Sequence, residues 1–106
     1  RYMAKEFGER RIRANAVSAG PIKTLAAAGI GDFRFILKWN ELNAPLRRNV
    51  TIDEVGNAGL YLLSDMGSAV TGQIHYVDAG YSAIGMLAVD SAPQSAALLA
   101  TMDKEG

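Results

Sequence analysis

The 106-residue sequence contains no cysteine. That removes disulfides, thiolate metal sites and thiol nucleophiles together, and it is compatible with a reducing, cytoplasmic compartment. Its one histidine, His75, cannot build a metal site alone, so no metal is expected. Neither sign of charge prevails, because eleven Lys and Arg balance eleven Asp and Glu. No net field therefore draws the chain toward nucleic acid, an anionic membrane surface or a polyanionic substrate, and partners must be recognised locally. No apolar run approaches the roughly 20 residues that span a bilayer. The opening Arg1-Tyr2-Met3-Ala4-Lys5-Glu6 has none of the marks of a signal peptide. A soluble protein is expected, with no nucleic-acid or membrane partner.

With 49% apolar residues, the chain can bury one modest core. Tyr2, Met3 and Phe7 on a background of Ala, Lys, Arg and Glu predict a helix that stops at Gly8. No Ser, Thr, Asp or Asn caps its start, so the helix is expected to begin upstream of Arg1. Ile12 to Ser18 has the length of a strand. Thr24 to Ala44 joins the small-residue stretch Leu25-Ala26-Ala27-Ala28-Gly29 to an amphipathic one, with Ile30, Phe33, Ile36 or Leu37, and Asn40 at helical spacing; two short helices are expected. Thr51-Ile52-Asp53-Glu54 is a capping box, and Ile52, Val55, Gly59, Leu62 and Leu63 on one face predict a helix to about Ser64. Gly72 to Asp78 reads as a second strand, closed by Ala79-Gly80. The tail from Leu87 to Gly106, rich in Ala and Ser, reads as a weak helix or a mobile segment.

Two strands joined by a long helical connection are normally parallel neighbours or near neighbours, which makes the class α/β. Two parallel strands leave most edges and one face unpaired, so the fold is expected to be incomplete on its own, with further strands before Arg1.

Ser18-Ala19-Gly20-Pro21-Ile22-Lys23-Thr24 falls at the carboxyl end of the first strand, the edge where open parallel sheets bind ligands. Gly20 lets the backbone pass close to a flat ring and Pro21 fixes the turn. The Ile22 peptide groups can pair with an amide, and Thr24, near a helix start, can donate to a phosphate. The plainer reading is a strand-to-helix turn punctuated by Gly and Pro.

The run Asn15 to Ala26 resembles the corresponding segment of bacterial enoyl-acyl-carrier-protein reductases, a divergent branch of the short-chain dehydrogenase/reductases. The Gly20-Pro21 order discriminates, since most of the wider superfamily has Pro-Gly. Pro45 to Thr51, Glu54 to Asn57, Leu62 to Asp65, Thr71 to Gln73 and Val77 to Gly80 are similar to the same family in the same order. The resemblance implies the C-terminal part of a Rossmann-type, doubly wound parallel sheet over residues 1–86, with a substrate flap at about 24–44 and a tail at 87–106. It implies that Gly20 and Pro21 line the nicotinamide of NADH, that the Ile22 peptide holds the carboxamide, that the Thr24 hydroxyl reaches the pyrophosphate, and that Ala19 belongs to the same cofactor-binding set. Ala26, Ala27, Ile30 and Phe33 are then substrate-binding, and an apolar slot there suits an enoyl thioester and its alkyl chain. Hydride passes to the β-carbon of an enoyl substrate carried on acyl carrier protein, in fatty-acid biosynthesis. The family is usually a homotetramer.

The family's catalytic Tyr and Lys, with six residues between them, fall before Arg1 by this resemblance. No catalytic residue is assigned within the chain, and the spacing of Tyr2 and Lys5 fits neither branch. Arg34 keeps one basic position that the family uses toward carrier protein, Gly31 and Phe35 replace others, and Lys38 lies on the face of Arg34. Arg10, Arg11, Arg13, Arg47 and Arg48 read as solvated or structural cations, His75 as structural, Trp39 and Phe35 as packing residues, and Asp78 as the cap of a turn. The rival readings are a short-chain reductase acting on 3-oxoacyl or ketone substrates, and a non-catalytic truncated module.

Overall fold

A computed structural model describes residues 1–24 and 32–105. Helix α1 (Tyr2–Phe7) is followed by a 3-10 turn (Gly8–Arg10), strand β1 (Ala16–Ala19), helix α2 (Phe33–Asn43), helix α3 (Ile52–Leu63), strand β2 (Ile74–Val77) and helix α4 (Ala92–Glu105), with short 3-10 turns between. The strands pair in parallel with Ala16 opposite Ile74 and Ala19 opposite Val77, as the α/β reading expects. Val17 and His75 share the face covered by α3, where the His75 ring lies 6.3 Å from that of Tyr61. Ile74 and Tyr76 point to the other face and are exposed. Parallel strands are normally covered on both faces. The radius of gyration is 17.2 Å, against about 13 Å for a compact domain of 100 residues. The buried apolar cluster is correspondingly small: Ala44, Val50 and Ala79, with Ile22, Val55, Val77 and Tyr81 packed against it.

Several boundaries depart from the sequence reading. Helix α1 stops at Gly8 as expected, but Gly8 is not left-handed; it stays right-handed at φ −61, the chain tightens into the 3-10 turn, and Arg11 takes the left-handed position at φ 60. Residues 12–15 fall outside the ladder; the Gly72 N–H still donates to the Ala14 carbonyl at 2.8 Å, but side chains take other backbone groups there. Thr71 Oγ1 accepts from the Ala14 N–H, while the Asn15 amide donates to the Val70 carbonyl and accepts from the Gln73 N–H. Gly72, at φ 75, and Gln73 also lie outside β2, although the Gln73 carbonyl accepts from the Ala16 N–H at 2.9 Å. Of the two helices expected between Thr24 and Ala44, α2 is seen and the small-residue stretch lies outside the described residues. The expected apolar face of α3 is only partly buried: Leu62 is covered, whereas Ile52 and Leu63 are 59% and 86% exposed. The tail forms α4, with Pro93 in its first turn where a missing N–H costs nothing.

The arginines serve structure, as expected for most of them. Arg13 donates to the Leu62 carbonyl at 2.6 Å and the Val70 carbonyl at 3.2 Å, closing the end of α3. Arg48 grips both carboxylate oxygens of Glu54 at 2.7 and 2.8 Å. Glu54 also completes the capping box, accepting from the Thr51 N–H at 2.9 Å while the Thr51 hydroxyl accepts from the Glu54 N–H at 3.1 Å. The Arg48 guanidinium, and then the Thr51 peptide, hold the Glu54 carboxyl at about 2, well below its ordinary range. A lowered native pKa means that the contribution of Glu54 to stability is complete above its unfolded value and is lost as pH falls through the native one. Thermal melts of the wild type should therefore lose more stability between pH 4.5 and about 2 than melts of Glu54→Gln, and parallel curves would contradict this.

Candidate functional site

The two strands end at one edge, and the turn from Ala19 to Thr24 leaves the sheet there. The Gly20 N–H donates to the Val77 carbonyl at 2.9 Å, extending the ladder one residue past β1. A Cβ on Gly20 would lie 3.1 Å from the Asp78 Cα and 3.3 Å from its Cβ, so the glycine is also needed for the approach of β2. Sequence reasoning gave Gly20 to a ligand and missed this second, structural cause. Asp78 turns the chain after β2 as predicted, its carboxylate accepting from the N–H groups of Gly80 and Ser82, each at 3.0 Å. Ala79 and Gly80 are both left-handed, at φ 57 and 91. The Ala79 carbonyl accepts from the Leu46 N–H at 3.1 Å, which ties the turn to the segment after α2.

Ile22 packs its side chain into the buried cluster of Ala44, Val50 and Ala79. Pro21 and Thr24 are half-buried and Ala19 exposed. Among the described residues, neither the N–H nor the carbonyl of Ile22 enters a backbone hydrogen bond. An anchored side chain with an open peptide is what amide-to-amide recognition of a ligand requires.

Phe33 opens α2 and is half-buried. Ala26, Ala27 and Ile30 lie outside the described residues. Phe35 and Trp39 stack at 5.8 Å, and the Trp39 indole N–H donates to the Tyr81 hydroxyl at 3.0 Å, so both aromatics serve packing within the chain. Lys38 pairs with Glu41 at 3.7 Å, which reduces the positive patch it would form with Arg34. Sequence reasoning passed over Asn43 and Asn49. Asn43 is buried, and Asn49 donates to the Leu37 carbonyl at 2.9 Å. For Asn43 the available signal was an asparagine in the last turn of a helix, where that residue is a poor choice unless its amide is used.

Parallel strands joined through helices, with a Gly-Pro turn at their carboxyl edge, define part of a Rossmann-type nucleotide-binding layer. The family model described as enoyl-(acyl carrier protein) reductase matches residues 1–82. Among curated proteins, the chain is 68% identical over 91 residues to enoyl-[acyl-carrier-protein] reductase [NADH] 1 of Rhizobium meliloti, covering 86% of this chain and 34% of that protein. It is 57% identical over 82 residues to the NADH enoyl-acyl-carrier-protein reductase of Neisseria meningitidis, covering 77% of this chain and 31% of that one. Among solved structures, that of the Anaplasma phagocytophilum reductase in complex with NAD superposes with a TM-score of 0.75 at 50% identity, over 84% of this chain and 32% of that one. The chain belongs to the enoyl-(acyl carrier protein) reductase family. It spans about a third of the length of the curated relatives it matches.

Proposed function

We propose that these residues supply the nicotinamide side and the acyl-facing flap of an NADH-dependent enoyl-acyl-carrier-protein reductase of fatty-acid biosynthesis. The observation that supports this reading is the Ile22 peptide at the carboxyl edge, which enters no backbone hydrogen bond among the described residues, beside a half-buried side chain packed against Ala44, Val50 and Ala79. The Ile22 peptide groups would take the carboxamide, with Ala19, Gly20 and Pro21 beside the ring and the Thr24 hydroxyl toward the pyrophosphate. Bound there, NADH supplies the hydride taken up by the β-carbon of a 2-enoyl thioester. The flap residues Ala26, Ala27, Ile30 and Phe33 would exclude water from the acyl chain and orient the double bond toward the ring.

Negative charge that develops on the thioester oxygen needs a donor and a cation. None of Tyr2, Tyr61, Tyr76 and Tyr81 is followed by a lysine after six intervening residues. The reading therefore places this role on groups outside these 106 residues. The same part of the reductase would cover the exposed face of Ile74 and Tyr76. A cytoplasmic homotetramer acting on substrate bound to acyl carrier protein completes the proposal.

Thr24→Val, made in the reductase that carries this chain, removes one hydrogen bond to a charged group at little change of shape. The KM for NADH should rise about tenfold. The KM for an enoyl thioester should stay within about twofold, since that ligand does not meet the hydroxyl. An unchanged KM for NADH contradicts the role given to Thr24.

A further inference from the structure

Asn43 closes α2, and its bonds lie away from the sheet edge. A buried amide costs free energy unless each polar atom finds a partner. The Asn43 residue is 1% exposed and fully engaged. Its Nδ2 donates to the Trp39 carbonyl at 3.1 Å and to the Ser95 hydroxyl at 3.0 Å, and its Oδ1 accepts from the Ala88 N–H at 3.0 Å. Ser95, on α4, is 0% exposed. The Ser91 hydroxyl donates to the Leu42 carbonyl at 2.5 Å, and Arg47 joins the Asn43 and Ala44 carbonyls to the Asp90 carboxylate. The segment 88–95 is thus fastened to the last turn of α2 by polar contacts that have no function in a sheet. The family match ends at residue 82, so Ala88, Ser91 and Ser95 all lie outside it.

We propose that Asn43 and Ser95 are positioning residues for the acyl site, with α4 acting as a strap that sets the tilt of the flap helix. The inference rests on the reading of α2 as that helix. Phe33 stands ten residues from Asn43 at the opposite end of α2, about 15 Å along the axis. A tilt of about 10° pivoting at Asn43 would move Phe33 by roughly 2.5 Å over that lever. Such a shift reshapes the slot for a long alkyl chain and leaves the Gly20–Thr24 turn in place. Ser95 therefore influences chain-length preference without touching substrate.

The test uses the full-length reductase with Ser95→Ala, which removes the acceptor, and Ser95→Arg, which cannot be accommodated under α4. Crotonyl and dodecenoyl thioesters probe short and long chains, and amide hydrogen exchange over residues 33–43 reports how firmly α2 is held. Ser95→Arg should raise the KM for the dodecenoyl thioester about tenfold, with the KM for NADH and for the crotonyl thioester within about twofold and faster exchange confined to α2. Ser95→Ala should show the same pattern at about threefold, and it decides the matter should the arginine variant fail to fold. An unshifted long-chain KM, or all three KM values moving together, overturns the strap. A wild type that reduces no enoyl thioester overturns the reading of the flap itself.

Discussion

Gly80→Ala should destabilise the protein by about 3 kcal/mol, seen as a fall in the urea midpoint with an unchanged slope. Two separate causes add. Gly80 sits at φ 91, a conformation that L side chains rarely adopt, and an alanine held there costs about 1–2 kcal/mol. Its new Cβ would also lie 2.8 Å from the Pro45 Cγ and 3.0 Å from the Pro45 Cβ. The pyrrolidine ring cannot swing aside as a flexible chain end would, and overpacking of this kind costs about 1–3 kcal/mol. Ala79 is the informative control. It too is left-handed, at φ 57, but its methyl is part of the buried cluster. Ala79→Gly relieves about 1 kcal/mol of backbone strain and gives up about 0.8 kcal/mol of apolar burial. The two offset, and the stability should change by less than about 0.5 kcal/mol. Equal effects at the two positions would contradict the assignment of the Pro45 contact.

Gly20→Val should weaken NADH binding by about thirtyfold, or about 2 kcal/mol. The Gly20 φ is not in the left-handed region, so the effect is steric and not conformational. A Cβ at 3.1 Å from the Asp78 Cα, with two further methyls behind it, must push the turn away from the end of β2. The bond from the Gly20 N–H to the Val77 carbonyl then lengthens, and the Ile22 peptide leaves the place where a carboxamide would meet it. Gly20→Ala asks the neighbours to yield by only a few tenths of an ångström and should cost less. NADH fluorescence titration measured beside the melting temperature separates the two roles of this glycine. A lowered melting temperature with unchanged NADH affinity would leave Gly20 as a purely structural residue.

Features written in a few adjacent residues were legible before any coordinates. The Thr51–Glu54 box needs only a hydroxyl, a carboxylate and the spacing between them, and it appears with both reciprocal bonds. The Asp78 turn and the parallel pairing of β1 with β2 followed in the same way. The ends of the strands were not legible, because residues 12–15 are claimed by Thr71 and by the Asn15 amide, more than 50 positions apart. No local propensity encodes such a pairing. The stop of α1 at Gly8 was legible, but the left-handed residue three positions later, Arg11 in an exposed turn, was not. The tail, read as a weak helix or a mobile segment, forms α4, but how it docks was not legible. Its Ala and Ser composition offers little apolar area, and it docks instead through Ser91 and Ser95 against α2. The edge occupied by Gly20, Pro21 and Ile22 was visible as a candidate, but the packing of the Ile22 side chain against Ala44, Val50 and Ala79 was not.

The most direct test is NADH oxidation by the reductase carrying this chain, with a crotonyl thioester offered in one assay and a 3-oxoacyl thioester in another. The proposed function predicts turnover of the crotonyl thioester with hydride delivered to its β-carbon. Turnover of the 3-oxoacyl thioester alone would contradict it and would assign these residues to a ketone-reducing site.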